Sequence, residues 1–254
     1  MQWTGRAAAF ADSYAHLCGH TASELLDAAG VAAGVRLLDV GTGTGTVAAL
    51  ALQRGADVVA VDAEPTMVDM ARSAVPDVRL GRLPELPFED GSFDAVVANF
   101  VVNHVPDPGA AVADLARVSR GRVALTVWPY PAPPLQQLWF DIMAAVGLEP
   151  SPPLVAPELN FSRDVAGVTG LLEKAGLRDV SCVRLEWGHR TDLDTWWIGP
   201  ANGMGALGEA LEDAPPATVA AARREYERLA SRYLDDDGAL VLPTAAVLGS
   251  GVLG

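Results

Sequence analysis

The sequence predicts a doubly wound α/β fold with a mostly parallel sheet. Compact apolar runs alternate with helical stretches through the first half of the chain, the rhythm of βαβ units joined by right-handed crossovers. The first of these runs ends in glycines that open a helix. Of the 254 residues, 50% are hydrophobic and 20% charged, enough to cover both faces of a sheet and too apolar for disorder.

Residues 6–30 read as two short helices joined near Cys18-Gly19-His20. Residues 35–40 (VRLLDV) form a strand that is apolar on both faces, as buried parallel strands are. Residues 46–54 follow as a helix stopped by Gly55. A second strand is expected at 57–62 (DVVAVD), a helix at 65–74, a short strand near 77–80 and a strand at 93–98 (FDAVVA). A helix that starts on a proline covers 108–118, and a strand covers 122–128 (RVALTVW).

The punctuation changes after Trp128. Proline-rich loops at 129–134 and 150–157 flank a helical stretch at 135–147, which marks an insertion and not sheet. A helix at 164–175 and a strand at 177–187 resume the pattern. Residues 192–233 form a second insertion, with the Trp196-Trp197 pair and a charged helix at 217–233. A seventh strand is expected at 239–248, with Pro243 at an interruption or an edge. The expected organisation is one domain over 1–254, with an N-terminal helical cover and two helical lid insertions, 129–160 and 190–233.

The stretch Leu38-Asp39-Val40-Gly41-Thr42-Gly43-Thr44-Gly45-Thr46 runs from strand through glycine turn to helix. Glycines permit positive φ and close approach of a ligand to the main chain. The helix start supplies unpaired N–H groups, at the carboxyl end of a strand where open α/β sheets bind ligands. A dinucleotide fingerprint would read G-x-G-x-x-G; here Thr46 holds its third glycine position. Asp39, two residues before the first glycine, disfavours a pyrophosphate and favours a ligand carrying an ammonium group. Alternatively, Asp39 braces the loop by accepting backbone N–H bonds. The next strand ends in Asp62, seventeen residues after Gly45. A carboxylate there can accept both hydroxyls of a ribose, cap the helix at Pro65, or do both.

These residues resemble motif I and the acidic strand end of the class I SAM-dependent methyltransferases. Two further stretches are similar to that family: Gly81-Arg82-Leu83-Pro84-Glu85-Leu86-Pro87-Phe88 with Asp90-Gly91-Ser92-Phe93-Asp94, and Asn99 through Pro108. The resemblance covers about residues 35–128 closely, and 1–34 and 160–254 more loosely. It implies a seven-stranded Rossmann-like methyltransferase fold, S-adenosylmethionine (SAM) as cofactor and S-adenosylhomocysteine as product. It implies cofactor contacts from Asp39, Gly41, Thr42 and Gly43 in the loop, and from Asp62, Ala63 and Met67 on the ribose and adenine side. Arg82 and Leu83 would stand in the adenine-side loop, Asn99 and Phe100 beneath the cofactor, and Tyr14 in the N-terminal cover. Arg82 departs from the family pattern, in which an aspartate accepts from the adenine amino group. An arginine cannot accept a hydrogen bond, so Leu83 backbone contacts or a shifted loop must serve.

Methyl transfer is an in-line displacement from a good leaving group, so the protein chiefly aligns the nucleophile, excludes water and, where needed, removes a proton. His104, implied at the ligand end of the sheet, is the candidate catalytic residue; the alternative is a structural histidine held by the Asp107 loop. His16 and His20 lie in the helical cover and His189 follows a strand. Tyr14 is either a ligand contact or core. Trp128, Trp139, Trp196 and Trp197 supply large apolar surfaces, either as a lid over an apolar acceptor or as a satellite core. Asp235-Asp236-Asp237 reads as a solvated turn, and no metal is expected.

Thirty-two acidic against 18 basic residues give a net charge of -14, which disfavours nucleic acid as a partner because its backbone demands a basic face. Cys18 and Cys182 are the two cysteines; with no zinc spacing and no CxxC pair they read as free thiols of a reducing cytosol. No signal segment and no membrane-spanning run is visible, so a cytoplasmic location without membrane association is expected. The expected function is methyl transfer from SAM to a small, fairly apolar acceptor in bacterial metabolism, including specialised metabolism, at oxygen in preference to nitrogen or carbon. The alternatives are a SAM-type pocket used for cyclisation or decarboxylation, an NAD-dependent oxidoreductase, and methylation of nucleic acid or protein. The choice between monomer and homodimer stays open.

Overall fold

The computed structural model describes residues 3–254. Three short helices come first, α1 (Ala7–Asp12), α2 (Tyr14–Gly19) and α3 (Ala22–Ala28). Then follow β1 (Arg36–Val40), α4 (Thr46–Gln53), β2 (Asp57–Asp62), α5 (Pro65–Ala71), β3 (Val78–Leu80) and β4 (Phe93–Asn99). Next are α6 (Pro108–Val118), β5 (Ser119–Val127), α7 (Pro134–Val146), α8 (Val165–Lys174) and β6 (Leu177–Thr191). The chain ends with α9 (Leu193–Ala201), α10 (Gly205–Leu211), α11 (Pro216–Ala230) and β7 (Leu240–Leu253).

The seven strands are ordered β3-β2-β1-β4-β5-β7-β6. β1 pairs in parallel with β2 and β4, β2 with β3, and β4 with β5, while β7 runs antiparallel to β5. The sheet is the mostly parallel one that the sequence predicts. From β1 the chain moves outward to β2 and β3, then returns to β4 on the other side of β1. That reversal makes the carboxyl ends of β1 and β4 a topological switch point, where sheets of this kind bind ligands.

Two compact units make up the chain. The first comprises Cys18–Tyr130, Leu154–Leu185 and Ala246–Gly254; the second comprises the residues up to Leu17, Pro131–Pro153 and Glu186–Ala245. Within the first unit, strand residues alternate between two apolar layers, as the period of two requires. Leu37, Val58, Ala60 and Val97 pack with Leu25, Leu26, Val47 and Val68 of α3, α4 and α5. Leu38, Val59, Val61 and Val96 pack with Val112 and Leu115 of α6 and Val168 and Leu172 of α8. Burial on both faces is why these strands read as continuous apolar runs. Truncating a wholly buried member such as Leu38 to alanine costs about 2–5 kcal/mol.

In the second unit, Trp196 is wholly buried and Trp139 nearly so. Their rings stack at 5.7 Å and 16°, and Tyr14 lies 4.9 Å from Trp196. Buried Tyr226 donates its hydroxyl to the carbonyl of Leu193 at 3.0 Å. These rings are the core of this unit.

The structure differs from the sequence reading in three places. Residues 6–30 make three helices, not two; the first ends at Ser13, whose hydroxyl donates back to the Ala9 carbonyl at 2.6 Å. The 192–233 segment carries two further helices, α9 and α10, ahead of the expected charged helix, which is α11. β7 continues through Pro243 without a break. Its ladder to β5 runs only from Val247 to Val252, so the proline's missing N–H takes nothing from that ladder. Among the described residues no helix is long and apolar enough to cross a membrane.

Candidate functional site

β1 ends at Val40, and the chain then passes Gly41, Gly43 and Gly45 with φ of 68°, 57° and 89°, a region that side chains rarely tolerate. The N–H groups of Gly41 and Thr42 both donate to the Val61 carbonyl, at 2.8 and 3.0 Å, which hangs the loop from β2. A Cβ at Gly41 would lie 2.4 Å from the Val101 side chain, so the segment leaving β4 packs directly on the loop.

Asp39 lies under this loop and is 1% exposed. Its Oδ2 accepts the Thr42 hydroxyl at 2.7 Å; its Oδ1 has no hydrogen-bond partner among the described residues. Burial pushes the Asp39 pKa up to about 6, against the lowering effects of the Thr42 hydroxyl and the Ala48 backbone N–H. A buried oxygen without a donor is costly, and it fits a ligand that brings its own N–H groups.

Asp62 stands across the loop. Its Oδ2 accepts the N–H of Gly43 and its Oδ1 the N–H of Glu64, each at 2.9 Å. Burial raises its pKa as well, against these backbone bonds. The cap of α5 is Glu64, which accepts from the Thr66 N–H at 3.3 Å. Asp62 is thereby left to shape the loop, and its carboxylate oxygens keep lone pairs for further donors. A loop rich in positive φ, an orphaned carboxylate oxygen and a strand-end carboxylate together fit a ligand with an ammonium group and a vicinal diol.

Beyond Asp62, Ala63 is exposed and Met67 is buried in α5. Arg82 is exposed, and Leu83 is half-buried against the apolar layer that holds Leu38 and Val61. The 81–88 segment is fixed by Asp114 of α6, which accepts the Leu86 N–H at 2.8 Å.

At the end of β4, the Asn99 side chain is engaged three times. Its Oδ1 accepts from Thr21 at 2.9 Å and Thr126 at 2.6 Å, and its Nδ2 donates to the Cys18 carbonyl at 2.9 Å. It pins the start of α3 to the sheet. Phe100 has φ of 58°, unusual for a bulky side chain and typical of backbone held at functional sites. Its N–H donates to the carbonyl and hydroxyl of Thr126, at 3.1 and 2.9 Å. Its ring stacks on Trp128 at 3.8 Å and 14°. His104 follows in a 3-10 turn, half-buried, with Nε2 3.2 Å from Nδ2 of Asn103. Burial chiefly lowers its pKa to about 4, with a smaller contribution from the Arg163 guanidinium. Asp107 caps α6, accepting the Ala110 N–H at 2.9 Å.

The fold therefore gathers Asp39, Gly41, Thr42, Gly43 and Asp62 at the ends of β1 and β2, and Asn99, Phe100 and His104 at and just beyond the end of β4. Tyr14 belongs to the second unit, where its hydroxyl accepts from Trp139 Nε1 at 3.2 Å. His16 and His189 are there too, with rings 5.6 Å apart. Asp235 accepts the N–H groups of Asp237 and Ala239, at 3.0 and 2.9 Å, in a surface turn. Sequence reasoning passed over Val101, Asp114 and Thr126. The one signal was a threonine inside the otherwise apolar run VALTV.

A family described as "Methyltransferase domain" matches residues 38–125, the span from β1 to β5. A demethylmenaquinone methyltransferase from Beutenbergia cavernae is 33% identical over 177 residues, covering 64% of this chain and 74% of the relative. An uncharacterized methyltransferase from Mycobacterium tuberculosis is 45% identical over 101 residues. That match covers 38% of this chain and 41% of the relative, so the chain aligns with less than half of that protein. Among solved structures, the YcgJ protein from Bacillus subtilis shares the fold, with a TM-score of 0.59 and 21% identity over 92% of this chain and 98% of that one.

Proposed function

The chain belongs to the class I SAM-dependent methyltransferase family, and we propose that it methylates a small, fairly apolar acceptor at oxygen. The observation that carries the reading is Asp39, buried, with Oδ1 lacking a partner among the described residues, beside the glycine loop and Asp62. SAM, when bound, supplies an electrophilic methyl group on a sulfonium. Asp39 would take its ammonium group, the main chain at Gly41, Thr42 and Gly43 its amino-acid end, and Asp62 its ribose diol. Ala63, Met67, Arg82 and Leu83 would border the adenine, and Asn99 and Phe100 would lie beneath.

On the acceptor side, the Phe100–Trp128 stack forms an apolar aromatic wall. The relative named for demethylmenaquinone supports an apolar acceptor. His104, with its pKa near 4, stays neutral at ordinary pH. Its Nε2 accepts from the Asn103 amide, so in the neutral ring the other nitrogen is an N–H donor. It can orient the acceptor's oxygen by donating to it, and it is a weak base. An acceptor hydroxyl that is already acidic suits such a site.

The test is incubation with methyl-labelled SAM and a panel of phenols, carboxylic acids, amines and carbon acids. Label appearing as a methyl ether or ester supports the reading. Label only on amines or carbon refutes oxygen as the acceptor atom, and labelled protein or nucleic acid in place of small molecules refutes the acceptor class.

A further inference from the structure

Arg163 lies in the segment before α8 and is half-buried. Its carbonyl accepts the Tyr130 N–H at 3.0 Å, and its guanidinium sits over the Tyr130 ring, 5.7 Å from the centroid. Arg54, Arg72, Arg79, Arg117, Arg120, Arg190, Arg223, Arg228 and Arg232 all form ion pairs. Arg163 forms none among the described residues; Arg36, Arg82, Arg122, Arg178 and Arg224, which also have no ion pair there, are exposed, whereas Arg163 is half-buried. Its partial burial disfavours the cation and lowers its pKa. A partly desolvated guanidinium without a counter-charge is costly to keep.

Its position gives this charge a use. Tyr130 follows β5 and His104 follows β4, so Arg163, whose carbonyl takes the Tyr130 N–H, stands at the end of the sheet where the carboxyl ends of these strands lie. Beside His104, Nδ2 of the Asn103 amide lies 3.2 Å from its Nε2. The other end of that amide is buried without a partner among the described residues. The stacked rings of Phe100 and Trp128 leave the ends of the same two strands, β4 and β5.

We propose that Arg163 is the cation that binds the methyl acceptor, through an anionic oxygen that the acceptor carries, either a carboxylate or an ionised hydroxyl. The planar fork of a guanidinium matches the oxygen pair of a carboxylate and can also donate to the single oxygen of an ionised hydroxyl, and charge-assisted bonds are the strong ones. The acceptor class narrows to acids with an apolar body. This rests on the methyltransferase reading of the same site.

Three probes test it on protein loaded with S-adenosylhomocysteine: 2-naphthoate, its neutral isostere 2-naphthamide, and 2-naphthol. Calorimetry on the wild type should show naphthoate binding roughly tenfold or more tighter than the amide. Arg163→Met should bring the two within about twofold, and Arg163→Lys should retain part of the preference. If the anion is an ionised hydroxyl, naphtholate fluorescence should appear at lower pH on the wild type than on Arg163→Met. Equal binding of naphthoate and naphthamide, with naphthol titrating alike on both proteins, overturns the proposal, as does a naphthoate preference that survives Arg163→Met. S-adenosylhomocysteine binding should be the same in all variants. Its absence in the wild type is a different failure, that of the methyltransferase reading.

Discussion

Asp62 accepts the backbone N–H of Gly43 at 2.9 Å, which ties the carboxylate at the end of β2 to the loop that follows β1. The loop is thus held in shape before any ligand arrives, and the same group is the one suited to a ribose diol. Asp62→Asn keeps one acceptor oxygen for the two N–H groups of Gly43 and Glu64 and loses the charge. SAM affinity should fall by about 10- to 100-fold, measured by calorimetry, with the melting temperature lowered but the protein still folded. Unchanged affinity would remove Asp62 from the cofactor site.

Asp39 links binding to pH. Its pKa is about 6 in the fold against an ordinary 3.8. Between those values the unfolded chain has lost a proton that the folded one keeps, so stability declines as pH rises through the window, by about 3 kcal/mol in total. Asp39→Asn should therefore raise the melting temperature of the ligand-free protein at about pH 7.5 and leave it unchanged near about pH 3.5. The same variant should lose SAM binding. In the wild type, SAM affinity should weaken about tenfold per pH unit below about 6 as Asp39 protonates. A flat affinity across that range would contradict the pairing of Asp39 with the ligand's cation.

His104 shifts the other way, from an ordinary 6.5 to about 4. Between those values the unfolded chain holds the extra proton, so stability falls as pH drops through the window. The pH profile of kcat/KM should show no histidine limb near 6.5. An inflection there that vanishes in His104→Gln would mean that the imidazole is far more basic than its surroundings imply.

Asn99 joins three elements. Asn99→Ala removes its bonds to Thr21, Thr126 and the Cys18 carbonyl, and should destabilise the protein by about 2–4 kcal/mol in chemical denaturation. A loss below about 0.5 kcal/mol would show that the start of α3 is held to the sheet by other contacts.

The strands of the sheet were readable because helices cover both faces. Leu37 and Leu38 enter opposite apolar layers, so neither position had to be polar. The glycine loop and the spacing to Asp62 were readable because a positive-φ turn leaves few residue choices. Helices of six or seven residues such as α1, α2 and α10 escaped separate notice, since two turns carry too little periodicity to stand out. The engagement of Asn99 was invisible for another reason: its partners lie 78, 27 and 81 positions away in sequence. Arg163 reads as one more surface arginine in a polar loop until the tertiary structure half-buries it without a counter-charge.

The measurement that bears most directly on the function is calorimetric titration of the purified protein with SAM and with S-adenosylhomocysteine, repeated on Asp62→Ala. That substitution removes the charge and the tie to Gly43 together. Both ligands should bind the wild type, and the variant should bind them roughly 100- to 10,000-fold more weakly. A folded wild-type protein that binds neither ligand would contradict the assignment of this site to SAM.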